Sequence, residues 1–334
     1  VPSAPCERWA AVLSIRLMPE TSTASAPDQI NETIRGALRS VFGFDSLRPL
    51  QAEIINAIMD GRDTFVLMPT GGGKSLCYQL PAVLMPGVTV VVSPLIALMK
   101  DQVDKLVAAG VAATFINSSL DYEEARRRQS DVVAGRVKLL YVAPERLMMP
   151  SFLSMLDGVD IGLFAIDEAH CISEWGHDFR PEYRALSALR VRFPSVPIAT
   201  FTATATTGVQ TDIRAQLALR DPLIVQGSLD RPNIRYQVRP KRDSYRSLME
   251  FIRTKPGESG IIYVQSRATA DGTAERLRRD GVRALSYHAG MAGEERGARQ
   301  DSFLTGEVEV MVATIAFGMG IDKPDIRFVV HLDL

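Results

Sequence analysis

Short, nearly unbroken apolar runs alternate with helical patterns along most of this chain. Thr64 to Met68, Val88 to Ser93, Val137 to Val142, Ile161 to Ile166 and Ile198 to Phe201 carry few polar side chains. Strands apolar on both faces belong in a parallel sheet covered by helices on each side. Helical patterns fill the intervals at Leu76 to Leu84, Ile96 to Ala109, Tyr122 to Ala134 and Glu182 to Arg192. Upstream, Asp28 can cap a helix that runs to about Phe42, with Gly43 as its stop. Gln51 to Met59 reads as a second helix, ended by Asp60-Gly61.

The pattern restarts after a linker around Ser228 to Asn233. Candidate strands follow at Gly260 to Val264, Val282 to Ser286, Val308 to Val312 and Ile326 to Leu332. The expected class is α/β: two doubly wound parallel-sheet domains in tandem, over residues 29–227 and 228–334. The second stops at Leu334, directly after a strand, and so reads as incomplete at its C-terminus. Residues 1–28, rich in Ala, Ser, Thr and Pro, read as a disordered lead, with Met18 a candidate for the true start.

Composition narrows the function only a little. Hydrophobic residues make up 46% and charged residues 23%, as in globular proteins. With 38 basic and 39 acidic residues the net charge is −1, so any nucleic-acid surface must be a local groove. Cys6, Cys77 and Cys171 give neither a disulfide framework nor zinc spacing. No apolar run approaches the roughly 20 residues of a membrane span.

The chemistry centres on Thr64-Phe-Val-Leu-Met-Pro-Thr-Gly-Gly-Gly-Lys-Ser75, a strand, a glycine loop, Lys-Ser and a helix start. Backbone N–H groups of Thr70, Gly71, Gly72 and Gly73 can crowd an anion, and the helix start adds its unpaired donors. Lys74 would reach the β- and γ-phosphates, and Ser75 would hold Mg²⁺. Met68 stands where the general pattern has another glycine. Asp167-Glu168 closes a second apolar strand; the first acid suits Mg²⁺ and the second suits the attacking water.

These segments carry a family resemblance. Thr70 to Pro81 and Asp167-Glu-Ala-His-Cys-Ile-Ser-Glu-Trp-Gly-His-Asp-Phe-Arg-Pro181 closely resemble the RecQ family of DNA helicases. So do Ser93 to Val103, Ala143 to Leu147, Phe201 to Thr204, Ile261 to Arg267 and Ala313 to Asp322. The resemblance runs from about Val41 to the end. It implies RecA-like domains, ATP and Mg²⁺ as cofactors, single-stranded and partly duplex DNA as partners, and 3′-to-5′ movement. It also implies a monomer with no membrane attachment and no zinc in this stretch, placed in the cytoplasm of a bacterium or the nucleus of a eukaryote.

Residue roles follow from the same resemblance. Phe44 and Arg48 would sandwich adenine while the Gln51 amide reads its edge, although Leu47 and Leu50 replace the more usual Phe and Gly. Lys74, Asp167, Glu168 and His170 would act on the triphosphate. Trp175, His177, Phe179 and Arg180 would sense single-stranded DNA, with His170 linking that loop to the acidic pair and Thr202-Ala-Thr204 coupling the acidic pair to the second domain. Ser93, Lys100 and Gln102 would touch the DNA backbone, matched by Tyr263, Ser266, Arg267, His288 and Thr314 from the second domain. Gly318, Gly320 and Asp322 would close on the nucleotide. Arg126-Arg-Arg128 reads as a solvated helix face beside Glu123 and Glu124. The family's next helix, which carries arginines for the γ-phosphate, lies past Leu334, so this stretch is expected to bind ATP and DNA but to hydrolyse and unwind poorly. Two alternatives stay open: an RNA helicase of the same superfamily, and a nucleotide-gated DNA-binding module without turnover.

Overall fold

The structure, a computed structural model, describes residues 9–15, 31–176, 178–228, 233–240, 243–314, 317 and 323–333. The chain divides into two compact units, Ser22–Leu229 and Val1–Thr21 with Asp230–Leu334. Strand β1 (Trp9–Ile15) belongs to the latter and is described with it.

The first unit is a parallel sheet of β2 (Thr64–Leu67), β3 (Val88–Val92), β4 (Ala113–Ile116), β5 (Leu139–Val142), β6 (Ile161–Ile166), β7 (Ile198–Thr202) and β8 (Leu223–Gln226). Their order is β4-β5-β3-β6-β7-β2-β8, and every pairing is parallel. Side chains alternate between faces along each strand. Phe65, Leu67, Val90, Val92, Leu140 and Phe164 therefore enter one apolar layer. Val66, Val91, Leu139, Tyr141, Leu163 and Phe201 enter the other. Two buried layers are why these strands read as continuous apolar runs.

The N-terminal edge of this sheet is tied by one buried carboxylate. Asp63 accepts from the Ile198 N–H at 2.8 Å and the Arg220 N–H at 2.7 Å. The same carboxylate pairs with the buried Arg190 guanidinium at 2.5 Å. It thus joins the entries to β2, β7 and β8.

Several local expectations are corrected. The first helix spans Glu32–Phe42 and is capped by Asn31, whose side chain accepts from the Ile34 N–H; Asp28 lies outside the described residues. Gly43 ends that helix at φ 71°. The single helix expected over Glu182 to Arg192 is two short ones, Pro181–Arg184 and Ser187–Arg192. Tyr183 draws the first of them inward by donating its hydroxyl to the Asp167 carbonyl at 3.0 Å. Strands β4 and β8, at the two edges of the sheet and only partly buried, are four residues long and were not marked by the sequence pattern.

In the second unit, β9 (Ile234–Pro240), β10 (Ser259–Tyr263), β11 (Ala284–Tyr287), β12 (Val310–Ala313) and β13 (Ile326–His331) join β1 in the order β11-β12-β10-β13-β1-β9. β11, β12, β10 and β13 run parallel. β1 lies antiparallel to both β13 and β9. The disordered lead expected over residues 1–28 is corrected at residues 9–15 alone, where Trp-Ala-Ala-Val-Leu-Ser-Ile is a seven-residue strand that pairs on both edges; the rest of it lies outside the described residues. Its apolar run reads as strand once β13 and β9 offer partners. Ile262, Val312 and Phe328 face one apolar layer, and Ile261, Met311 and Phe303 face another.

Candidate functional site

In the first unit the polar clusters sit at the carboxyl ends of neighbouring strands, where open α/β sheets hold ligands. The register enforces this. The Met68 N–H donates to the Thr202 carbonyl at 3.0 Å, and the Asp167 N–H donates to the Val92 carbonyl at 2.9 Å. The glycine loop, Ser93, Asp167 and Thr202 therefore end β2, β3, β6 and β7 at one edge.

The loop leads into helix Lys74–Leu84, with Gly73 as its N-terminal residue at φ 83°. A side chain there would be strained, and a Cβ would also overlap the Gln51 amide nitrogen. Gln51 Nε2 donates to the Gly73 carbonyl at 3.0 Å, and Gln51 Oε1 accepts from the Arg48 N–H at 2.7 Å. Arg48 donates to the Gly71 carbonyl. So the residues expected to read a base also grip the loop, a link the sequence did not disclose. Phe44 stands 52% exposed. Thr70 and Gly71 are exposed, while Gly72, Lys74 and Ser75 are half-buried. Lys74 Nζ lies 3.3 Å from the Met68 carbonyl. Met68 itself points into the core, which is how a bulky residue is accommodated where the general pattern has glycine.

Asp167 is buried and accepts from the Glu168 N–H at 3.0 Å. Burial, then the neighbouring Glu168 charge, pushes its pKa up to about 6; Lys74 and His170 oppose the rise. Glu168 adopts φ 48°, the left-handed region that non-glycine residues seldom occupy, and so opens the 3₁₀ turn Ala169–Ile172. That turn carries His170 beneath β7. His170 Nδ1 lies 3.0 Å from Thr202 Oγ1 and 3.3 Å from Glu168 Oε2. His170, Glu168 and Thr202 are thus brought together.

The aromatic segment begins one turn later. Trp175 is 83% exposed and Phe179 sits at the surface. A Cβ on Gly176 would crowd the His170 carbonyl, so the segment folds tightly against the His170 turn. Arg180 Nη1 donates to the Pro94 carbonyl at 3.3 Å, and Arg180 Nη2 pairs with Asp178 at 3.2 Å. His177 lies outside the described residues. His170, Cys171 and Asp178 bring ligand-capable atoms within 4.8 Å of one another, a convergence that cysteine spacing did not show. Burial pushes the Cys171 thiol up to about 12.

The other expected contacts divide. Ser93 is buried, and its hydroxyl has no partner among the described residues, so it does not present that group outward. Lys100 is exposed and pairs with Asp104 at 2.5 Å. Gln102 is half-buried and accepts from Gln79. Arg127 and Arg128 pair with Glu124 at 2.7 Å; Arg127 is exposed, as expected of a solvated face, whereas Arg128 is half-buried over the Phe115 ring and donates to the Phe115 carbonyl at 3.0 Å, a correction to that expectation.

The second unit repeats the carboxyl-edge arrangement. Tyr263 ends β10, Ser266 and Arg267 follow it, His288 follows β11, and Thr314 follows β12. Tyr263 donates to the Phe317 carbonyl at 2.6 Å, and Ser266 caps helix Arg267–Arg279. Arg267 is exposed. His288 Nε2 pairs with Asp271 at 3.1 Å. Thr314 donates its N–H to the Tyr287 carbonyl at 3.2 Å. Gly318, Gly320 and Asp322 lie outside the described residues.

Residues 48–212 match the DEAD/DEAH box helicase model, and residues 243–334 match the helicase conserved C-terminal domain. The chain is 50% identical over 302 residues to the ATP-dependent DNA helicase RecQ of Haemophilus influenzae, covering 90% of this chain and 49% of that protein. The chain belongs to the RecQ family. A second RecQ helicase, from Pasteurella multocida, is 48% identical over 305 residues, covering 91% of this chain and 48% of the other. The chain thus spans about half the length of the RecQ relatives it matches. The Mycobacterium smegmatis helicase Lhr, solved with single-stranded DNA and AMP-PNP, shares the fold at TM-score 0.64 and 18% identity, covering 89% of this chain and 43% of that one. Both RecA-like parallel-sheet domains expected from the sequence are present, and among the described residues no helix is long and apolar enough to cross a membrane.

Proposed function

We propose that this chain is the motor region of an ATP-dependent DNA helicase that moves 3′ to 5′ along single-stranded DNA. The observation that carries the proposal is one continuous segment. Between Asp167 and Phe179 it joins the buried acid Asp167, the strained Glu168, the Thr202-bonded His170 and the exposed Trp175 and Phe179.

In this reading the triphosphate lies over Gly71 to Ser75, held by loop N–H groups and Lys74, with the base between Phe44 and Arg48. The donor set fits a hard divalent cation: a buried carboxylate ending β6 and a helix-start hydroxyl after β2, both at the carboxyl edge of one sheet. Ser75 and Asp167 would hold Mg²⁺, which supplies charge neutralisation at the phosphate oxygens. Glu168 orients and deprotonates the attacking water, and His170 holds Glu168 in place through Nδ1–H. Bases stacking on Trp175 and Phe179 shift the Gly176 turn, and His170 transmits that shift to Glu168. Tyr263, Ser266, Arg267, His288 and Thr314, at the carboxyl edge of the second unit's sheet, supply that unit's own contacts to the strand. Stacking tolerates any base, as a translocating grip requires.

The test is ATP turnover and strand separation of a duplex with a 3′ tail by the full-length parent, with Lys74→Ala as control. DNA-stimulated turnover that Lys74→Ala abolishes supports the proposal. Stimulation by RNA in preference to DNA, or separation only from a 5′ tail, refutes it.

A further inference from the structure

We propose that Gln79 and Tyr141 are positioning residues that tie Gln102, and with it the strand-contacting helix Ile96–Ala108, to the phosphate-binding helix Lys74–Leu84. This deepens the function proposed above and rests on it: Lys74-Ser75 holds the triphosphate and Gln102 meets the DNA strand.

The geometry is a buried fork. Gln79 sits on the helix that Lys74 and Ser75 open, and it is 7% exposed. Its Nε2 donates to Gln102 Oε1 at 2.7 Å and to the Tyr141 hydroxyl at 2.8 Å. An amide nitrogen has two protons, so both are spent. Gln102 Oε1 is thereby fixed as acceptor, which leaves its NH₂ as the donor end, with no partner among the described residues. Gln102 is only half-buried, so that NH₂ can face an anionic backbone.

The fork lies in an apolar layer. Tyr78, Tyr141, Met99, Val103 and Val91 share one core there. A side chain such as Met would fill Gln79's volume without needing partners, so filling the core does not require an amide at this place. What the amide adds is direction: it links two helices through bonds of fixed geometry. Lys74 and Ser75 open the helix that carries Gln79, so the fork joins that helix to Gln102. It is separate from the His170 route, which leaves from Asp167 and Glu168.

A link of this kind is a coupling between two binding events, and coupling is reciprocal. The dissociation constant for a fluorescent oligothymidine is measured with and without AMP-PNP, and that for AMP-PNP with and without the oligonucleotide. The wild type is expected to show the same factor both ways, of about 5-fold or more. Gln79→Met should bring it below about 2-fold while leaving AMP-PNP affinity without DNA within about 2-fold of wild type, with Tyr141→Phe in between. A purely structural role would lower the melting temperature and leave the factor alone. Should Gln79→Met fail to fold, Tyr141→Phe decides, since it removes a single oxygen. If Gln102→Ala abolishes the factor while the Gln79 and Tyr141 variants keep it, the fork is not the carrier and the inference is overturned. If Gln102→Ala keeps the factor as well, the assignment of Gln102 to the strand is wrong and the inference falls with it.

Discussion

His170 Nδ1 lies 3.0 Å from Thr202 Oγ1, across the gap between the turn after β6 and the end of β7. The Thr202 hydroxyl donates its own proton to the Thr204 carbonyl at 3.1 Å. It therefore accepts from His170, and Glu168 Oε2 at 3.3 Å is a second acceptor for the same N–H. Two acceptors around one ring nitrogen fix the Nδ1–H tautomer. Thr202→Val keeps the shape and removes the acceptor. Losing one such bond at a positioned group is worth about 1 kcal/mol, so DNA-stimulated ATP turnover should fall roughly 5- to 10-fold in kcat with KM for ATP little changed. Equal turnover in Thr202→Val and wild type would remove His170 from the coupling.

Trp175 offers a cleaner separation of binding from folding. With 83% of its surface exposed it contributes little to the core, so Trp175→Ala should leave the unfolding midpoint unchanged. One lost stacking platform costs about 1–3 kcal/mol, which is roughly 5- to 150-fold in affinity for single-stranded DNA. Fluorescence anisotropy with a labelled oligonucleotide reads this directly. A melting temperature lowered by several degrees would mean that Trp175 packs on the protein instead.

Asp63 makes the opposite prediction. It is buried against the Arg190 guanidinium and holds two backbone N–H groups. Asp63→Ala strands a buried arginine, a change that typically costs about 3–5 kcal/mol. Urea unfolding should show the loss, whereas AMP-PNP affinity, measured where the variant is folded, should hold, since the phosphate loop lies at the other end of β2. A loss under about 1 kcal/mol would show that Arg190 finds water once its partner is gone.

The central strands and the phosphate loop were legible because each follows from neighbours in sequence: an apolar run buried on both faces, then glycines ahead of Lys74. Met68 looked like a defect in the pattern and is a core residue, because the strand's alternation points it inward. What stayed hidden depends on pairs distant along the chain. The Gln51 grip on Gly73 spans 22 positions, and the Gln79 bond to Tyr141 spans 62. No local pattern encodes either. The left-handed Glu168 was also invisible, since propensity argues against it and only the surrounding packing holds it there. β1 was taken for a lead because its partners, β13 and β9, lie more than two hundred residues further on.

Asp167 gives a pH dependence whose sign is fixed by its surroundings. Burial and the Glu168 charge raise its pKa from 3.8 to about 6 in the folded state. The folded chain then holds that proton more tightly than the unfolded chain. The resulting stabilisation is complete below 3.8 and is lost as pH rises through about 6. Asn cannot titrate, so the stability of Asp167→Asn relative to wild type should increase as pH is raised across this window. Urea midpoints of the two proteins, compared at matched pH from about 4 to 7, isolate this one group from the other carboxyls. The same shift predicts proton release on nucleotide binding, because Mg²⁺ and the triphosphate favour the ionised acid. Calorimetry of Mg²⁺–AMP-PNP binding near pH 5.5 in two buffers of different ionisation enthalpy should show that release in wild type and a smaller one in Asp167→Asn. A stability difference that stays flat with pH, together with equal proton release in the two proteins, would mean that Asp167 is already ionised and that its burial is relieved by water.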